Sequence, residues 1–262
     1  MPTEGAESDR RIDPETEREA DFGFERVPWS EKADRVRGVF DSVAARYDLM
    51  NDAMSLGLHR LWKRFTLAKA RLRPGQRALD VAAGSGDLSI GLAQKVGPSG
   101  LVVVTDVNQN MLERGRSRLL DRGYVENIGY VLADAEHLPF AARTFDCVTI
   151  GFGLRNVTDQ PKALAAIRRV LKPGGQLLVL EFSQPRLGPL NAVYDAYSFE
   201  VLPRLGQWLA GDSASYRYLA ESIRRHPDQA TLRDMMQAAG FERCTYFNLM
   251  GGIVAVHEGS RL

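Results

Sequence analysis

Three acids, each at the end of a short apolar run, carry the chemistry that can be read in this chain of 262 residues. The first, Asp80, lies in Arg77-Ala-Leu-Asp-Val-Ala-Ala-Gly-Ser-Gly-Asp87, where a strand-like run enters a turn of small residues. Gly84 and Gly86 let the backbone approach a ligand, and a helix beginning near Asp87 offers unpaired N–H groups to a carboxylate or phosphate. A dinucleotide fingerprint needs a third Gly or Ala to seat that helix, and this chain has Ser89 there. Asp80 would repel a pyrophosphate but would suit an ammonium or sulfonium. The second acid, Asp106, ends Leu101-Val-Val-Val-Thr-Asp106, where a carboxylate can accept both hydroxyls of an adenosine ribose. The third, Asp134, follows the run from Ile128 to Leu132 and precedes Ala135. It sets an acceptor for an exocyclic amine beside a small residue, where adenine would lie. Together they read as a site for S-adenosylmethionine, not for NAD.

Such a site needs a parallel sheet, and the punctuation of the chain supplies one. From Gln76 onward strand and helix alternate, with strands expected at 77–82, 101–106, 128–132, 145–151 and 176–182. Gly97-Pro98 ends the first helix, Asn108 or Asn110 caps the second, Asp159 with Pro161 opens another and Lys172-Pro-Gly-Gly175 closes it. The last two strands, 241–248 and 252–257, are too close in sequence for a parallel crossover and must form an antiparallel hairpin. The expected fold is α/β: a doubly wound, seven-stranded, mostly parallel sheet with that hairpin at its edge, the Rossmann-like architecture of class I methyltransferases. Before the sheet, residues 22–75 hold two amphipathic helices. One carries Val36, Val39, Phe40, Val43 and Tyr47 at helical spacing; the other starts near Ser55, with Leu58, Leu61, Trp62, Phe65, Ala68 and Leu72 in a stripe. An insertion at 183–225 holds many aromatics above the carboxyl ends of the strands. It is expected to be a lid over an apolar acceptor pocket, with Tyr197 and Tyr216 among the lining residues.

Composition narrows the setting. With 44% hydrophobic residues the chain can form one large domain over 22–262. Residues 1–21, with eight acids against three arginines, are expected to be a disordered arm. A net charge of +1 with dispersed basic residues offers no field to capture nucleic acid. Cys147 and Cys244 lie in apolar runs, which suits buried thiols in a reducing cytoplasm and implies no metal. No apolar run is long enough to span a bilayer, and no signal segment is present.

Beyond the glycine loop, the chain resembles the quinone-biosynthesis C-methyltransferases that act on ubiquinone and menaquinone precursors. The resemblance runs from Asp21-Phe-Gly-Phe24 to the C-terminus. It rests on Tyr47-Asp-Leu-Met-Asn-Asp52, His59-Arg-Leu-Trp-Lys-Arg-Phe-Thr66, Phe152-Gly-Leu-Arg-Asn-Val157, Tyr194-Asp-Ala-Tyr-Ser198 and Ser215-Tyr-Arg-Tyr-Leu-Ala-Glu-Ser-Ile223. It implies cofactor contacts at Ser85, Asp106, Asp134, Ala135 and position 151. The chain departs from the family in three places: Ala83-Gly-Ser-Gly-Asp87 stands for the usual Gly-Gly-Thr-Gly-Asp, Asp134 replaces a frequent Asn, and Gly151 replaces a common Ser, removing a side-chain contact. The implied acceptor is a polyprenyl quinol, and the implied partners are the membrane that holds its tail, a second copy of the chain or a quinone-synthesis assembly.

Methylating a ring carbon requires an aromatic ring activated by an ionised or polarised hydroxyl, so the acceptor must be a hydroquinone. Arg155 is the candidate to stabilise the oxyanion and Asn156 to bond a ring oxygen, since both follow the fourth strand. Arginine stays protonated, which leaves a water, an acid or His59 to take the ring proton. The basic helix with Trp62 and Phe65 could lie on an anionic membrane or simply pack on the sheet. Three other readings remain open at this level: a methyltransferase for another small phenol, a dehydrogenase disfavoured by Asp80 and Ser89, and a scaffold that binds S-adenosylmethionine without catalysis.

Overall fold

The computed structural model describes residues 18–43, 51–52, 55, 57–185 and 213–262. Seven strands form the expected sheet: β3 (Arg77–Val81), β4 (Leu101–Asp106), β5 (Ile128–Leu132), β6 (Phe145–Gly151), β7 (Leu171–Phe182), β8 (Glu242–Leu249) and β9 (Val254–Ser260). Their order is β5-β4-β3-β6-β7-β9-β8. The first five run parallel, and β9 is antiparallel to both neighbours. The order reverses at β3, so the carboxyl ends of β3 and β4 open onto the crevice where such sheets bind ligands.

Alternation along the strands builds two cores. Leu79, Val103, Val148, Leu177 and Val179 point to one face, under α5 (Gln160–Val170) and α7 (Gln229–Ala238), with Leu164, Ile167, Leu232 and Met236 filling that layer. Ala78, Val102, Val104, Cys147, Leu178 and Leu180 point to the other. Covering that second face are α2 (His59–Lys69), α3 (Asp87–Val96) and α4 (Gln109–Asp121). Both cysteines are free thiols.

The N-terminal region departs from expectation. Glu19–Phe22 (β1) pairs with Glu25–Pro28 (β2) around Gly23, whose φ is +61°. A strand therefore occupies the last residues of the stretch expected to be an arm. Its acids find a cation, with Arg26 lying 3.2 Å from Glu19 and 3.6 Å from Asp21. Ala20 and Val27 alternate inward, so even four-residue strands bury a face. Next comes α1 (Trp29–Val43), which packs Val36 and Val43 against Tyr216, Tyr218 and Leu219 of α6 (Ser213–Arg225). Of the expected lid at 183–225, residues 186–212 lie outside the described ones, as do Tyr47 and Tyr197.

The stripe of α2 is spent on the sheet. Trp62 is buried, with ring centroids 6.2 Å from Phe152 and 6.1 Å from Phe182. Phe65 meets Phe247 edge-on at 5.9 Å. Trp62 is thereby turned from solvent and Phe65 is half-buried; of the expected stripe, Leu61, at 56%, and Ala68 are exposed. No helix among the described residues is long and apolar enough to cross a bilayer. Replacing Trp62 by Ala is expected to lower unfolding stability by about 3–5 kcal/mol, read from urea denaturation; a loss below about 1 kcal/mol would return this face of α2 to solvent.

Candidate methyltransferase active site

The turn after β3 is built from left-handed residues: Ala82, Gly84 and Gly86 have φ of +49°, +55° and +78°. Gly86 is the residue before α3 and offers no side-chain cap, which leaves the first N–H groups of that helix facing the crevice. The Gly84 N–H donates to Asp106 Oδ2 at 2.9 Å, and Asn108 N–H donates to Oδ1 at 2.9 Å. Burial raises the pKa of Asp106 while these backbone N–H groups oppose the shift. Each carboxylate oxygen keeps a lone pair for a further donor, which fits a pair of vicinal hydroxyls. Gly115 of α4 lies so close to the turn that a Cβ there would sit 2.7 Å from the Gly84 carbonyl oxygen.

Above this turn runs a cleft lined by Gly84, Asp106, Met111, Asp134, Ala135, Gly151 and Asn156, with Val36 and Phe40 of α1 as its roof. Asp134 caps the short helical turn Ala135–His137 by accepting from Glu136 N–H at 2.9 Å. Ala135 is buried beside it. A Cβ at Gly151 would come within 2.8 Å of Leu88 Cδ1. The cleft thus brings together six of the sequence-derived positions, among them Asp106, Asp134 and Ala135.

The others fall elsewhere. Asp80 is 1% exposed and turned into the protein, accepting from Ser89 Oγ at 2.6 Å and Thr149 Oγ1 at 2.6 Å. The Thr149 contact follows from the register that pairs Asp80 with Thr149. It does not face the cleft as an open charge, and Ser89 serves it as a hydrogen-bond donor. Ser85 is also buried, and its Oγ accepts from Arg118 at 3.0 Å. Next to it Asp87 takes Lys63 at 2.7 Å and Arg118 at 2.8 Å. Its burial favours the neutral acid, but Lys63 and Arg118 prevail and hold the pKa down.

His59 begins α2 and bonds Ser55 Oγ through Nδ1 at 2.9 Å, with Asp52 at 3.7 Å. Burial and the Lys63 ammonium lower its pKa, and it does not line the cleft. Tyr216 is buried in the α1–α6 contact, outside the lining. Arg155 points away from the cleft as well: its guanidinium donates to Glu181 Oε1 at 2.8 Å and to the Phe152 carbonyl, with Glu181 itself 1% exposed. Two partners were not singled out from sequence. Glu181 was visible as a lone acid in the apolar run of β7. Tyr218, which donates to Asn156 Oδ1 at 3.0 Å and stacks on Phe22 at 4.3 Å, had no such signal.

The strand order and the crevice above β3 and β4 are those of class I methyltransferases. A SAM-dependent methyltransferase from Thermotoga maritima superposes with a TM-score of 0.61 at 19% identity, covering 87% of this chain and all of that one. A second, from Aquifex aeolicus, gives 0.57 at 17%, over 76% and 89%. The family is narrower: the chain belongs to the ubiE/COQ5 methyltransferase family, whose model matches residues 29–261. Curated relatives bear the name ubiquinone/menaquinone biosynthesis C-methyltransferase. One from Teredinibacter turnerae is 59% identical, covering 92% of this chain and 96% of its own; one from Coxiella burnetii is 58% identical, over 94% and 98%. S-adenosylmethionine is accordingly the cofactor, and the cleft geometry fits it.

Gly115→Ala is expected to weaken S-adenosylmethionine binding about tenfold, by displacing the Gly84 carbonyl, although alanine favours the helix itself. Calorimetric titration decides it; unchanged affinity would mean that α4 can yield. Asp80 supplies a second test. Burial, outweighing bonds from Ser89 and Thr149, raises its pKa from 3.8 to about 6. The folded state then holds this proton more tightly than the unfolded chain, so the contribution is full below the ordinary value and is lost as pH rises through about 6. In the cofactor-free protein, the Tm of Asp80→Asn minus that of the parent should therefore rise between about pH 4 and about pH 6.5. A constant difference across that window would contradict the shift.

Proposed function

We infer that this chain is the S-adenosylmethionine-dependent C-methyltransferase that methylates demethylmenaquinol to menaquinol, 2-methoxy-6-polyprenyl-1,4-benzoquinol in ubiquinone biosynthesis, or both. The observation that carries this reading is the adenosine-shaped cleft in a chain whose near-full-length relatives bear that activity in their names. The cofactor supplies an electrophilic methyl group, and the chain's own residues do the rest. Asp106 binds the ribose hydroxyls. Asp134 and Ala135 hold the adenine, and Gly84 and Gly86 admit the aminoacyl part to the N-terminus of α3.

Position contributes most of the rate, because a phenolate ring is nucleophilic enough once its carbon is held in line with the methyl group. Asn156 stands on the cleft wall with its Oδ1 occupied by Tyr218 and one amide N–H directed at the Phe152 carbonyl at 3.5 Å, so its second N–H is the part left to face a ring oxygen. Arg155 keeps an electrostatic role through Nε, since Glu181 takes the other side of the guanidinium. His59, bonded to Ser55 and pushed toward the neutral form, positions α2 and leaves the ring proton to water. Tyr216, buried between α6 and α1, holds α6 in place. Leu61, exposed between Arg60 and Arg64, is the described residue of α2 suited to touch the bilayer from which a prenylated acceptor must be drawn.

The deciding assay follows methyl transfer from labelled S-adenosylmethionine to each quinol, with the oxidised quinones as controls. Transfer to one or both quinols and to neither quinone is the expected outcome. Tight cofactor binding with no transfer to either quinol would move the acceptor to another class of phenol or leave the chain a scaffold.

A further inference from the structure

Asp87 is the first residue of α3, so its carboxylate stands beside the N–H groups that face the crevice. An acid in the first turn of a helix is drawn to those groups and to the positive end of the dipole, and a bound carboxylate needs the same place. Here two cations from different helices take the acid instead. Lys63 of α2 donates to Asp87 Oδ2 at 2.7 Å, and Arg118 of α4 lies 2.8 Å from Oδ1. Among the described residues, no backbone N–H donates to this carboxylate. The side chains of Lys63, Asp87 and Arg118 are 13%, 20% and 27% exposed, so salt screens the cluster less than it would a surface pair. Burial favours the neutral acid, but the two cations outweigh it and keep Asp87 ionised.

Packing fixes both cations. Helices α2 and α3 approach so closely that a Cβ at Gly91 would collide with Leu67. Gly91 and Leu67 each stand one helical turn beyond Asp87 and Lys63, so the contact that joins the helices also sets the lysine on the acid. From the other side α4 presents Gly115, Arg118 and Leu119 to the turn, at the spacing that shares one helical face. A Cβ at Gly86 would come within 3.1 Å of Leu119 Cδ1. Arg118 also donates to Ser85 Oγ at 3.0 Å, so one guanidinium joins the residues on either side of Gly86. Asp80, the other acid beneath the turn, is held by Ser89 and Thr149.

We propose that Lys63 and Arg118 are positioning residues for the amino-acid end of S-adenosylmethionine: together they hold the Asp87 carboxylate off the N-terminus of α3, which leaves its N–H groups to the carboxylate of the cofactor. The inference rests on the reading that places the aminoacyl part at that N-terminus, and it adds two residues that do not touch the ligand themselves. It divides the cleft in two. The adenosine end depends on Asp106 and Asp134, and the aminoacyl end on a clamp whose members come from α2 and α4.

Calorimetric titration of the full chain with S-adenosylmethionine and with 5′-methylthioadenosine, which keeps the adenosine and lacks the aminoacyl part, separates the two ends. Lys63→Met and Arg118→Met should each weaken S-adenosylmethionine about tenfold or more, while 5′-methylthioadenosine stays within about threefold of the parent. Adding Asp87→Asn to Arg118→Met removes the competing charge and should recover about threefold or more of the lost affinity. In turnover the single variants should raise KM for S-adenosylmethionine, with kcat falling less. Equal losses for the two ligands would mean that the clamp shapes the fold at large, and would overturn the proposal. Unchanged affinity for S-adenosylmethionine, or no recovery in the double variant, would overturn it as well. A loss confined to S-adenosylmethionine in a chain whose parent methylates neither quinol would uphold the clamp and fail the acceptor reading instead.

Discussion

The Asp106 carboxylate is the point on which the architecture of the cleft depends. One oxygen fixes the Gly84 N–H and the other the Asn108 N–H, so a single side chain ties the turn after β3 to the turn after β4. Asn108 extends the tie: its Oδ1 caps α4 through Met111 N–H at 3.0 Å, and its Nδ2 donates to Asp41 at 2.8 Å. Asn110 reaches the same Asp41 carboxylate at 2.9 Å. The roof helix α1 is thereby anchored to the floor of the site through a short chain of hydrogen bonds. Bonds to a charged acceptor contribute about 1.5–3 kcal/mol each, and here they are made whether or not a ligand is bound. The acid at the floor of the cleft is thus oriented in advance.

The turn after β6 divides labour between its two sides. Asn156 looks into the cleft, supported by Tyr218, while Arg155 looks the other way, clamped by Glu181. Consecutive residues in a tight helical turn diverge in direction, so one short segment lines the cleft with one residue and ties into β7 with the next. The Lys32 bond to the Val157 carbonyl pins the end of the same segment to α1. Few of these bonds are local in sequence, which makes the segment a product of tertiary packing and not of its own propensity.

That distinction explains what was legible in the sequence. All seven sheet strands were readable, because alternation and turn residues are local signals and the antiparallel hairpin follows from its short connection. Asp106, Asp134 and Ala135 were readable because their place at strand ends fixes where they face. Asp80 misled: its position was right, but the register brought Thr149 opposite, and Ser89 faced it from the first turn of α3, so two hydroxyls captured a carboxylate expected to face a cation. The cofactor reading rested also on Asp106 and Asp134, which do line the cleft. Arg155 and Ser85 misled in the same manner, since their partners, Glu181 and Arg118, are 26 and 33 residues away. The first hairpin was hidden by charge, because eight acids in the opening stretch outweighed the inward alternation of Ala20 and Val27.

The close approach at Gly151 has a consequence for how this chain can change over time. Leu88 fills the space that a side chain at 151 would need, and Leu88 belongs to the first turn of the helix that meets the cofactor. A side chain gained at 151 would have to turn the end of Leu88 aside, an adjustment of one rotamer that leaves the backbone of the helix in place. The two positions, far apart in sequence, therefore share one volume: what one gains, the other must yield.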